Sequence, residues 1–133
     1  MASFRELNIA SKANAGIEIP VVIPGGEKGV QTGELLTVLS TYSERFRKAE
    51  ADGYRRIREY VRDAEAKNKT MDDKIYEEVA LDSIAQLIID WSYDEPCTTE
   101  NVKLFLQTNP HMYDTVNRVA ADHSVFFANA AIS

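Results

Sequence analysis

The most constraining feature of the sequence is an apolar stripe from Leu35 through Leu39, Tyr42, Phe46, Ala49, Gly53, Ile57, Tyr60 and Ala64. Every step is three or four residues, the repeat of one helix face sustained for about eight turns. A helix of that kind needs other elements to cover its stripe. Gly53 lies on the apolar face, where glycine costs roughly 1 kcal/mol relative to alanine. It marks either a bend or break in the helix or the close approach of another backbone.

Downstream residues supply the covering helices. Thr70 is placed to cap a second helix from about Met71 to Trp91, with Asp72 and Asp73 in the first turn, where carboxylates suit the helix dipole. Ile75, Val79, Leu81, Ile84, Ala85, Leu87, Ile88 and Trp91 spread around its later turns and predict deep burial. The polar turn Ser92-Tyr93-Asp94-Glu95-Pro96 ends it. Thr98 caps a short third helix whose inner face is Val102, Phe105 and Leu106. Asn109 caps a fourth, with Pro110 at its first position, and Tyr113, Val116, Val119 or Ala120, His123, Phe127 and Ala130 continue it. The expected fold class is therefore all-α, a small bundle of about four helices over residues 34–133.

Residues 1–33 read differently. Ile17, Ile19, Val21 and Ile23 alternate with period two, and Pro20 confines such a strand to a sheet edge. The expected partner is Phe4 to Ile9, because a two-stranded ribbon must pair and then pack. The region reads as an extended N-terminal arm, partly β or disordered.

Composition narrows the function classes. The 133 residues are 44% hydrophobic and 27% charged, as expected of one globular domain. A net charge of −6 argues against a duplex-binding protein and for no nucleic-acid partner. One cysteine fits a reducing cytosol. No apolar run approaches the roughly 18 residues of a membrane span, and no leader pattern precedes Ala13-Asn14-Ala15. Charge is unevenly spread. Residues 44–69 carry nine Lys/Arg against six acids, and residues 70–100 carry nine acids against Lys74. The two segments either neutralise each other or face water, or they bring copies or an acidic partner together. Arg45, Arg55, Arg58 and Arg62 are the candidate partner-binding residues of the basic strip. Phe126 and Phe127, in the apolar stretch Val125 to Ile132, are the apolar candidates.

Chemistry-bearing patterns fail on spacing. Gly25-Gly26-Glu27-Lys28-Gly29 lacks phosphate-loop spacing and reads as a flexible connector. Cys97, His111 and His123 are too few for a structural zinc site. Cys97 precedes a helix cap, a position able to lower a thiol pKa, but a small residue in a turn is the ordinary explanation. His123 reads as a core or interface residue on the last helix. Asp90, Asp94 and Glu95 need no metal to explain them. Trp91, Tyr93, Phe105, Tyr113, Phe126 and Phe127 read mostly as core, or as an interface where exposed. The expectation is no catalysis, no metal and no cofactor.

The segment from Ile88-Ile89-Asp90-Trp91-Ser92-Tyr93-Asp94-Glu95-Pro96 through Thr98-Thr99-Glu100-Asn101 to Leu106, followed by Asn109-Pro110, resembles the tail assembly chaperones of lambda-like long-tailed bacteriophages. In that family a buried helix ends in a tryptophan and an acidic turn, followed by a Thr-Pro-Glu-Asn-like helix start and a run of leucines. Here Thr99 replaces the proline, and Thr98 keeps the capping hydroxyl. The resemblance covers roughly the last third of the chain and is carried by a helix-cap pattern. It implies a late assembly factor of the host cytoplasm, absent from the mature virion. Such a protein binds the tape measure protein, keeps it soluble, and helps recruit tail tube (major tail) protein. Self-association is expected, as is a frameshifted longer form in many members. The competing expectation is a structural head-tail connector or tail completion protein.

Overall fold

A computed structural model describes residues 3–4, 8–70 and 72–127. In chain order the elements are α1 (Ile9–Ala15), β1 (Ile17–Ile23), β2 (Val30–Val38), α2 (Glu44–Ala66), α3 (Lys74–Ala85), β3 (Ile88–Trp91), α4 (Thr99–Thr108), α5 (Pro110–Ala121) and α6 (His123–Phe127). The fold is mixed α/β, which corrects the all-α expectation. A three-stranded antiparallel sheet of order β1-β2-β3 draws its strands from residues 17 to 91.

The two missed strands have identifiable causes. Leu35 and Leu39 fit a helical stripe by coincidence, but Thr32, Leu36 and Val38 also alternate. Ser43 then caps α2, its hydroxyl accepting from Phe46 N at 3.3 Å, so the helix starts at Glu44. The apolar run Leu87-Ile88-Ile89 is short enough for either state. Its spread around the expected helix is the mark of a separate strand, and α3 ends at Ala85.

The sheet has one apolar face. Ile17 pairs with Val38, Ile19 with Leu36, and across β2, Leu36 pairs with Trp91 and Val38 with Ile88. Leu36 and Val38 are wholly buried and Ile88 nearly so, whereas Glu18, Pro20 and Asp90 are exposed on the strands. The buried side chains join Phe46, Ile84, Leu87, Val102, Leu106, Met112 and Val116 in one cluster. Pro20 does lie on an edge strand, next to a register irregularity, as its missing donor requires. The partner of β1 is β2 and not Phe4 to Ile9. Residues 5–7 of that stretch lie outside the described residues, and Ile9 opens α1. The glycine-rich stretch from Gly25 to Gly29 is the hairpin turn between β1 and β2.

Loop backbone ties the sheet to the helices. Leu39 N donates to Leu87 O at 2.7 Å and Thr41 N to Ala120 O at 3.0 Å. In the same loop Ser40 and Ser43 are wholly buried yet bonded, their hydroxyls accepting from Tyr42 N at 3.0 Å and Phe46 N at 3.3 Å. Gly16 turns the chain from α1 into β1 with φ +77°, and a Cβ there would lie 2.8 Å from the Val38 carbonyl oxygen.

Gly53 does not break α2, a continuous helix of 23 residues. It is a point of close approach: a Cβ would lie 2.5 Å from Val79 Cγ1 on α3. One turn further along, Asp82 on α3 accepts from Arg56 Nη1 of α2 and from Lys103 Nζ of α4, both at 2.6 Å. Partial burial works against its charge, but the hydrogen bonds and charges of Lys103 and Arg56 outweigh it and hold its carboxyl below the ordinary 3.8.

The later helices differ from expectation in two places. Asp73, not Thr70, occupies the N-cap of α3, and Met71 lies outside the described residues. Asp122 ends the expected last helix: it is extended (ψ 92°), and its carboxylate accepts from Ser124 N at 3.1 Å and Ser124 Oγ at 2.6 Å. That local bonding competes with helix continuation and starts α6. Ala130 and the end of the Val125–Ile132 stretch lie outside the described residues.

Gly53→Ala is expected to destabilise the protein despite alanine's better helix propensity, because overpacking costs about 1–3 kcal/mol. Adding Val79→Ala should recover part of the loss, read as a favourable coupling in a denaturation cycle. Asp82→Asn is expected to lose about 1 kcal/mol at neutral pH, the pairs being partly exposed. Asp82 has a depressed folded pKa, so its contribution is full above 3.8 and is lost as pH falls through the folded value. Urea denaturation at pH 7 and pH 3 should therefore show the gap between wild type and Asp82→Asn closing in acid.

Candidate functional site

The β3–α4 junction builds an open aromatic groove. β3 delivers Trp91 at its end, and the next residue is pinned to β2: Ser92 N donates to Leu35 O at 3.1 Å, Leu35 N donates to Ser92 Oγ at 2.8 Å, and Ser92 Oγ donates to Glu34 Oε2. Trp91 Nε1 donates to Glu95 O at 2.7 Å, which folds the acidic turn over the indole edge. On the other side, Thr98 Oγ1 accepts from Asn101 N at 3.2 Å and caps α4 as its sequence predicts. Asn101 Nδ2 donates to Pro96 O at 2.9 Å, fixing the proline end of the turn.

Trp91, Tyr93 and Phe105 meet as a triad with ring centroids 5.5–5.8 Å apart, Trp91 edge-on to both neighbours. Such geometry follows the ring quadrupoles and adds to the area buried. The triad, Asn101 and Leu104 line a groove of about 370 Å³. Leu104 is 59% exposed, a large apolar side chain at the rim of an aromatic floor. Burial, with the charges of Glu34 and Glu95, pushes the Tyr93 hydroxyl above its ordinary pKa. The three aromatics are half-buried, neither the plain core expected of them nor free surface. The surface suits an apolar helix face and carries hydrogen-bonding groups for its edges.

The basic candidates separate into two places. Arg45 turns toward α3, its Nε donating to Gln86 Oε1 at 2.9 Å. Arg55, Arg58 and Arg62 lie on the outer face of α2 and are exposed, Arg55 within 3.3 Å of Asp52. At about 100° per residue, Arg47 and Lys48 share that outer face, which charge counting alone did not separate from Arg45. Between the basic and acidic segments, Arg56–Asp82 is the ion pair found among the described residues.

The apolar candidates lie on α6. Phe126 is buried at 7% exposure, and half-buried Phe127 meets Tyr42, His123 and Phe126. His123 is not a core residue: it is exposed and stacks on Tyr42 with centroids 4.4 Å apart. Cys97 departs from the lowered pKa that its position before a cap suggested. Burial pushes its thiol up, with Asp90 adding and Arg45 opposing, and Sγ faces Ile88 O at 3.9 Å. Among the described residues no three His, Cys, Asp or Glu side chains are gathered to hold a metal ion, and no helix is long and apolar enough to cross a membrane. No protein-family model, curated protein or solved structure matches the chain.

Thr98→Ala is expected to destabilise the protein by about 1 kcal/mol and Thr98→Ser by much less. The same denaturation curves, followed through Trp91 fluorescence, should show whether the groove loosens before the global transition.

Proposed function

We propose that the protein is a phage tail assembly chaperone that binds the tape measure protein, keeps it soluble and helps recruit tail tube subunits. It would act in the host cytoplasm without remaining in the mature virion. The single observation that carries this reading is the coincidence of two features in one stretch. The stretch that resembles the family, Ile88 to Leu106 followed by Asn109-Pro110, also supplies Trp91, Tyr93, Glu95, Asn101, Leu104, Phe105 and Asn109 of the aromatic groove. The motif therefore coincides with a surface suited to gripping an apolar helix face, as in the extended helical segments that the resemblance implies for a tape measure protein. Aromatic anchors ringed by polar groups concentrate binding energy in few residues. Weak grips at many sites on one long partner would add up through effective concentration.

Co-expression with the tape measure protein of its own genome is the test. Soluble tape measure that co-purifies with the chain is the expected result. Leu104→Asp should weaken capture about tenfold or more while leaving folding within about 0.5 kcal/mol of wild type. Trp91 is the sole tryptophan, so its emission should also shift on binding in the wild type. A tape measure that stays insoluble with this chain and with any frameshifted longer form overturns the reading. Recovery of the chain in purified particles favours the connector function instead.

A further inference from the structure

We propose that the outer face of α2 is a docking surface for the acidic β3–α4 turn of a second copy of this chain. α2 packs its apolar stripe on α3 and, near its start, on α1. The opposite face is left to solvent. Arg47, Lys48, Arg55, Arg58 and Arg62 follow one another along it, with exposed Ala51 among them. At 1.5 Å per residue this cationic ridge is about 22 Å long.

The complementary surface lies on another part of the same molecule. Asp90, Asp94, Glu95 and Glu100 are all exposed around the turn, and no lysine or arginine occurs from Ile75 to Val102. The turn is held in shape by the Trp91–Glu95 and Asn101–Pro96 hydrogen bonds, so its charges are presented on a fixed loop. Among the described residues, no ion pair joins the ridge to these four acids within one copy. The ridge's ion pair is Arg55 with Asp52 on the same helix, and Asp82 takes Arg56 and Lys103. Two opposite-sign surfaces that do not meet within one copy can satisfy each other between copies.

Because ridge and turn are different surfaces, the contact is head-to-tail. It closes into a ring or continues as an open array, according to the rotation between copies. Single exposed ion pairs contribute little, so the contact is weak per copy, oriented by charge, and sensitive to salt. The inference rests on the charge distribution alone and not on tape measure binding, and its test uses the full chain by itself.

Sedimentation velocity of the purified chain should show mass rising with concentration at about 0.05 M salt and returning to monomer at about 0.5 M. The decisive measurement is a charge swap. Arg58→Glu/Arg62→Glu and Asp94→Lys/Glu95→Lys should each be monomeric alone, and mixing them should restore association, since each then supplies what the other lacks. Arg58→Gln/Arg62→Gln, which carries no new charge, should self-associate about tenfold more weakly than wild type, with circular dichroism confirming that it folds. A wild type that stays monomeric at low salt overturns the proposal, as does a swapped pair that fails to associate on mixing. A labelled oligonucleotide that binds the ridge while the chain stays monomeric overturns it too and assigns the ridge to phosphate.

Discussion

A three-stranded sheet with one apolar face must be covered, and the covering of β2 governs the rest of this molecule. Leu36 and Val38 are wholly buried on the central strand, between Ile17 and Ile19 on one side and Ile88 and Trp91 on the other. The helices arrive in an order set by short connections. α3 leads directly into β3 and α4 follows β3 across the acidic turn, while the loop after β2 bonds to Leu87 and Ala120. Burial of this kind is worth roughly 25 cal/mol per Å² of apolar surface, and no surface ion pair approaches it.

Covering the sheet also decides what is left outside. α2 lies against α3, with Gly53 admitting Val79, so its apolar stripe is consumed and its arginines are displayed on the far side. Trp91 has its strand partner in the core and is itself half-buried at the core's edge, because β3 ends there and the turn folds back over the indole. An aromatic groove and a cationic ridge thus arise from the same packing solution. The groove offers apolar contact with few polar groups, and the ridge offers orientation by charge.

Local signals were legible wherever side chain chemistry acts within a few residues. Thr98 caps α4, Pro110 opens α5, and Pro20 lies on an edge strand. Each follows from a hydrogen bond made or a donor missing. Two strands were not legible. The spacing of Leu35, Leu39 and Tyr42 satisfies a helix, and Leu87-Ile88-Ile89 satisfies helix and strand alike. For short apolar segments the pairing partner decides, and the partners lie tens of residues away. The candidate site divided in the same way: its aromatics were visible as residues, but their joint exposure was not, and Arg45 stood with Arg55, Arg58 and Arg62 until α2 had a rotation.

The sequence by itself determined the Thr98 cap of α4, the proline start of α5, the edge character of β1, the amphipathic body of α2 and the opposite charges of two neighbouring segments. Each of these depends on residues within one or two helical turns or on a simple count. Only the tertiary structure decided that Val30–Val38 is the central strand and that Gly53 is a contact and not a break. These depend on how an apolar surface finds cover across the whole chain. That free energy belongs to pairs of distant segments, and no local window contains it.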